Sequence, residues 1–191
     1  LPSIIFAMFG AKYAGKHGSK KATITWTWVA LIVTAVTFAF CAVVDMRQIN
    51  ILGEGGNIVI AAIFLVLLLA GNGSKMCVTT ANGAMRADIV DYEMDRSGKY
   101  LPAVVTATYN FIDQLVTSLG ATIATFSVAA IGYVDSLPQP TDAATPAIKW
   151  MALALYFGLP ILGWICTIFA MKSYHLDKAE MINVQKRIAD K

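Results

Sequence analysis

Two sets of side chains between Met85 and Thr125 have types and spacings that could do chemistry. Asp88, Asp91 and Asp95 stand at i, i+3 and i+7, so a helix would bring three carboxylates to one face, with Arg86, Arg96 and Lys99 close by. Like charges on one stripe are tolerable only when cations meet them. The chemistry on offer is therefore an ionic contact that can form and break. Further on, Thr106, Asn110, Asp113, Thr117, Gly120 and Ala124 recur at spacings of four, three, four, three and four. That pattern draws a stripe of polar and small groups down one side of an otherwise apolar helix. Asn110, Asp113, Gln114 and Thr117 give this stripe amide, carboxylate and hydroxyl groups suited to a hydroxyl-rich ligand.

Other candidate chemistry fails on residue type. Cys41, Cys77 and Cys166 are scattered in apolar settings with no ligand spacing, and are read as inert thiols. His17 and His175 lack partners for a metal site. Gly10, Gly15 and Lys16 match the opening of a phosphate-binding loop, but His17 follows where that loop needs a hydroxyl for magnesium. The segment is read instead as a Gly-rich turn with snorkelling lysines. The apolar spans hold no clustered nucleophile and base, so no catalytic residue is assigned and the chain is not expected to be an enzyme.

The elements that must carry these residues follow from composition. Of 191 residues 57% are hydrophobic and 14% charged, against ~25% charged in soluble domains. The apolar residues gather in runs near the ~20 residues that cross a ~30 Å hydrocarbon layer. The expected fold is all-α, a polytopic membrane helix bundle over residues 1–172, with spans at about 22–44, 57–87, 101–133 and 149–171. Leu1 to Phe9 reads as the tail of an earlier helix, and the chain as part of a longer protein. Residues 173–191 read as a short amphipathic tail, with Leu176, Ala179, Ile182 and Lys186 near helical spacing.

Lysines and arginines cluster in alternate loops: Lys12 to Lys21, Arg86 to Lys99, and the tail from Lys172. The other two loops carry only Arg47 and Lys149, one of them also holding Pro138, Pro140 and Pro146. The positive-inside rule makes the basic loops and the C-terminus cytoplasmic. A net charge of +3 distributed in this way tracks topology and does not point to nucleic acid.

Two local features bear on the site. Gly71 to Lys75 either ends a span or is a weak point in a helix continuing to Asp88; Lys75 is then a helix-end snorkeller or a pore residue. Asp113 lies twelve residues beyond Leu101, ~18 Å along a helix and so near mid-membrane. A charge there costs at least ~2.5–3.5 kcal/mol on an insertion scale, and should face a bundle interior or an aqueous cavity. The alternative is a protonated, purely structural Asp113.

The run A-D-I-V-D-Y-E from Ala87 to Glu93, the R-S-G-K from Arg96 to Lys99, and F-I-D-Q-L-V-T-S-L-G-A from Phe111 to Ala121 resemble the glycoside-pentoside-hexuronide:cation symporter family. This family includes the melibiose permeases and belongs to the major facilitator superfamily. Gly132 with Tyr133, the basic first loop and the Y-H-L-D-K tail from Tyr174 extend the resemblance over most of the chain. It implies the C-terminal half of such a fold, Leu1 to Phe9 ending helix eight and the later spans being helices nine to twelve. It further implies a cytoplasmic gate in which Asp88, Asp91, Arg96 and Lys99 pair with the other half. Glu93 stands where the family usually has Gly, and Gln114 where the melibiose permeases have a Lys.

The function implied is cation-coupled symport of a sugar or glycoside across the cell membrane by alternating access. The coupling ion would be Na+, H+ or Li+, its carboxylates lying in the N-terminal half; no cofactor is expected. The expected partners are a small-molecule substrate, the lipid bilayer and that other half of the same protein. The rivals are a relative that carries a lipid or amphiphile, a membrane-embedded protein that transports nothing, and a truncated product.

Overall fold

A computed structural model describes residues 2–45, 49, 56–133, 139 and 145–190. Leu1, Arg47, Pro138 and Pro140 lie outside them. Every described element is helical. In chain order they are α1 (Pro2–His17), α2 (Ser19–Val43), α3 (Ile58–Ser97), α4 (Pro102–Ala130), α5 (Pro146–Leu153), a π-helical turn (Ala154–Gly158), α6 (Leu159–Lys172) and α7 (Lys178–Ala189). Among the described residues four helices are long and apolar enough to cross a membrane: α2, α3, α4 and the continuous run from Pro146 to Lys172.

The basic segment before the first span is not a turn. α1 continues through Gly10, Gly15 and Lys16 to His17, so it does not stop at Phe9, and α2 begins at Ser19. The phosphate-loop resemblance ends there, because backbone N–H groups inside a helix are already spent on carbonyls. One residue makes the corner. Gly18 has φ 89°, a left-handed backbone that costs nothing without a Cβ.

α3 runs unbroken through Gly71 to Lys75. Its 40 residues are ~60 Å long, about twice the hydrocarbon thickness, so one end must project beyond a membrane. The Asn57 side chain caps its start by accepting from Val59 and Ile60, and Gly98 at φ 71° ends it. Pro102 then occupies the first turn of α4, where its missing N–H is no loss.

The bundle is tied together by α2. Its buried residues Thr23, Thr27, Ala30, Thr34, Thr37 and Cys41 are spaced by four, three, four, three and four, and small or hydroxyl side chains let neighbouring backbones approach closely. The hydroxyls on this face are satisfied unequally: Thr37 donates to the Val33 carbonyl one turn back at 2.7 Å, Thr23 donates to Met85 Sδ of α3 at 3.2 Å, and Thr27 has no partner among the described residues. α1 packs as tightly on α3: a Cβ on Gly10 would stand 2.9 Å from the Cys77 Cα, and one on Gly73 would meet the Phe6 ring at 2.6 Å. Phe157, on the π turn, is buried with Cys41 and Leu153 towards the other end of α2.

The tail helix lies across the ends of α1 and α3 and is capped by Asp177 accepting from Glu180. It buries Met181 and Val184 and leaves Ile182 exposed, so the inward face differs from the Leu176, Ala179, Ile182 face read from spacing.

Candidate functional site

At the charged end, where α1, α2, α3 and α7 meet, the carboxylates of α3 find unequal partners. Ser19, the first residue of α2, donates its hydroxyl to Asp88 Oδ2. Asp88 thus faces a hydroxyl and not a cation. Asp91 forms none of the described ion pairs, and Arg96 pairs with Glu93 on its own helix at 3.1 Å. Lys99 is exposed beyond the Gly98 cap. The contact between elements is made by Asp95, which accepts from Arg187 Nε of α7 at 2.7 Å, while the same guanidinium reaches Glu180 at 3.1 Å. Arg187 lies 92 residues from Asp95 in sequence, which is why local spacing grouped Asp95 with Asp88 and Asp91 but did not show its partner.

A second tie at this end comes from Lys178, whose ammonium donates to the carbonyls of Lys16 at 2.7 Å and Gly15 at 3.4 Å. These are among the last carbonyls of α1, which have no partner within the helix. Beneath α7 lies a cavity of about 420 Å3 reached by Ser19, Thr80, Asp88, Asp177 and Gln185. Tyr174, just after α6, buries its hydroxyl without a hydrogen-bond partner among the described residues. Burial, then the charges of Asp88 and Tyr109, push its phenol well above the ordinary tyrosine range.

The polar stripe of α4 is placed quite differently. Asn110, Asp113, Gln114 and Thr117 are all exposed, and none of the residues of α4 is buried. α4 leans on α3, where the Arg86 guanidinium sits 4.6 Å from the centre of the Tyr109 ring. The stripe therefore does not face the interior of this bundle. Its spacing matches that of the buried stripe on α2, so a seam of that period is a feature of helices that receive another helix or line a cavity.

Lys75, near the middle of α3, is the residue of the Gly71 to Lys75 segment whose charge the fold engages. It is half-buried, and its ammonium lies 5.7 Å from the centre of the Tyr156 ring. Tyr156 belongs to the π turn, an irregularity often found at functional positions. Thr34, Thr37, Asn72 and Lys75 line a narrow cleft with it, of about 20 Å3. This opens beside a groove of about 640 Å3 walled by Phe64, Leu68, Trp150, Leu153 and Phe157. Lys149 at the groove's far end is spent on the Ala42 and Val44 carbonyls at 3.1 and 3.3 Å. The sequence left Lys75 between a snorkeller and a pore residue; Tyr156, 81 positions on, carries no local signal of the pairing.

Among the described residues no group of three or more His, Cys, Asp or Glu could hold a metal ion. Cys41 and Cys77 are buried free thiols, and Cys166 is an exposed one.

Compared with known proteins, residues 1–178 match the model of a family described as MFS/sugar transport protein. No curated protein matches the chain, and no solved structure matches it.

Proposed function

We propose, from the premise that this chain belongs to the MFS/sugar transport protein family of the major facilitator superfamily, that it forms part of a secondary transporter which moves a sugar or glycoside by alternating access. The chain is an all-α, multi-pass membrane helix bundle of that superfamily. In our reading it supplies the C-terminal half, works by symport with Na+, H+ or Li+, and sits in the cell membrane with the Asp88 to Lys99 segment and α7 in the cytoplasm.

The observation that carries this reading is the polar face of α4. Asn110, Asp113, Gln114 and Thr117 stand exposed on a helix of membrane length. Facing lipid, Asp113 would cost several kcal/mol, so the face calls for water, a solute or a further part of the protein. A transporter whose substrate lies between two halves supplies all three. The charged end fits the same reading: among the described residues Asp91, Arg96 and Lys99 make no ion pair to another helix and Asp88 meets only the Ser19 hydroxyl, so these groups could meet the other half when the cavity closes on that side.

The test is cysteine substitution at 110, 113 and 117 in the full-length protein, with alkylation by an impermeant reagent and protection by substrate. We expect reaction at all three and protection at one or more, together with impaired uptake by Asp113→Asn. Inert cysteines and normal uptake would make the stripe a packing seam and remove the basis of the proposal. The apolar groove beside Tyr156 favours a second reading, in which the solute is an amphiphile. Competition by alkyl glycosides of increasing chain length would reveal it as an affinity that rises with the chain.

A further inference from the structure

Four lysines crowd the corner that Gly18 turns between α1 and α2. Lys12 and Lys16 stand one turn apart near the end of α1, and Lys20 and Lys21 open α2. Among the described residues none of the four forms an ion pair. Carboxylates of this end are engaged elsewhere: Glu93, Asp95 and Glu180 by arginines, Asp88 by the Ser19 hydroxyl, and Asp177 by the first turn of α7. His17 registers the crowding. Its ring lies 4.5 Å from that of Tyr13. Lost contact with water, then the charges of Lys21, Lys16 and Lys178, hold its pKa below the ordinary histidine value. Like charges gathered in this way oppose folding until an anion meets them.

The corner also heads an apolar face. Lys21, Trp28, Ile32, Val36, Ala39 and Val43 are all exposed and recur at spacings of seven, four, four, three and four, so they follow one side of α2. The side packed into the bundle is a different one, carrying Thr23, Thr27, Ala30 and Thr34. No charged residue lies between Lys21 and Val43. That stretch is ~33 Å along the helix, close to the ~30 Å of a hydrocarbon layer. In a multi-pass membrane bundle an uncharged stripe of this length is suited to acyl chains. The lysine at its head then reaches the level of the lipid phosphates.

We propose that the α1–α2 corner binds an anionic phospholipid, its phosphate received by Lys16 and Lys21 and its acyl chains lying along the Trp28, Ile32 and Val36 face of α2. Charge selects the headgroup, because a zwitterionic lipid brings its own cation up to the lysines. The apolar face selects a lipid over a free phosphate, which has no use for it. Lys178 of α7 adds positive charge at the same spot, although its ammonium already donates to the Gly15 and Lys16 carbonyls. With this end in the cytoplasm, as proposed above, the lipid belongs to the leaflet richer in anionic headgroups. Only the choice of leaflet rests on that orientation.

The full-length protein, stripped of lipid in a nonionic detergent, is titrated with phosphatidylglycerol, with phosphatidylcholine of the same acyl chains and with glycerol 3-phosphate. Native mass spectrometry reads binding, and Tm is followed alongside. A lysine near an anionic surface contributes about fivefold in affinity. We therefore expect phosphatidylglycerol to bind roughly tenfold tighter than phosphatidylcholine and to raise the Tm, and glycerol 3-phosphate to do neither. Lys16→Gln with Lys21→Gln should lose the headgroup preference, and Lys16→Arg with Lys21→Arg should keep it. Trp28→Ser should weaken both lipids several-fold. Lysines of merely structural importance would not tie the gain in Tm to headgroup charge. Equal binding of the two lipids, a preference undiminished in the double Gln variant, or full lipid binding by Trp28→Ser would overturn the site. A response to glycerol 3-phosphate equal to that of phosphatidylglycerol would make it a free-phosphate site instead. No lipid bound at all would mean that another part of the protein covers this face, and that too overturns the proposal. Uptake enters none of these measurements, so the transporter reading is tested separately.

Discussion

Asp95 and Arg187, 92 residues apart, meet at 2.7 Å and fasten α7 to the end of α3. Asp95 is largely buried at this contact and Arg187 about half exposed. Asp95→Asn should loosen α7, and amide hydrogen exchange over Lys178–Ala189 should quicken several-fold. The charge swap Asp95→Arg with Arg187→Asp should restore part of the protection. Unchanged exchange in Asp95→Asn would show that burial of Met181 and Val184 alone holds the helix.

Ser19 meets Asp88 where α2 begins. Ser19→Ala removes the hydroxyl and leaves a half-buried carboxylate short of a donor, a loss of about 1–2 kcal/mol. Asp88→Asn keeps an acceptor oxygen for Ser19 and should lose less. Thermal unfolding of the full-length protein in detergent ranks the two. A Tm in Ser19→Ala equal to the wild type would deny the bond any structural weight.

Tyr174 hides a hydroxyl with no hydrogen-bond partner among the described residues, so Tyr174→Phe should leave stability at neutral pH unchanged or slightly higher. The pH dependence has a definite sign. Its folded pKa is raised above the ordinary value of 10.0, so the unfolded chain releases this proton first and stability falls as pH rises above about 10. Unfolding curves between neutral and strongly alkaline pH should show that decline reduced in the Phe variant. An identical alkaline limb in both proteins would place the phenol in water.

Gly10 and Gly73 set the approach of α1 to α3. Gly10→Ala presses a methyl on the Cys77 backbone, which cannot turn aside, whereas Gly73→Ala presses one on the Phe6 ring. Overpacking of this kind costs about 1–3 kcal/mol. The larger drop in Tm is expected for Gly10→Ala, and Phe6→Leu should rescue Gly73→Ala but not Gly10→Ala. Rescue of both would mean that α1 slides freely on α3.

The sequence by itself determined that this is a helical membrane protein. Runs such as Ile58 to Ala70 are a property of composition along the chain, and hydrocarbon demands helices wherever those runs cross it. It also determined the period of the α4 stripe and the carboxylate face of α3, since both are local to one helix. Tertiary structure decided which of those groups meet anything. Asp95 pairs with Arg187, although Asp88 and Asp91 stand on the same face. Gly18, one residue in a segment read as a loop, turns the chain between two helices. Lys75 finds the ring of Tyr156, a residue of the π turn 81 positions on. Helical periodicity assigns a residue to a side of its own helix, but the partner on that side is chosen by how the helices cross. Contacts between residues 81 or 92 positions apart therefore exist only in the packed bundle.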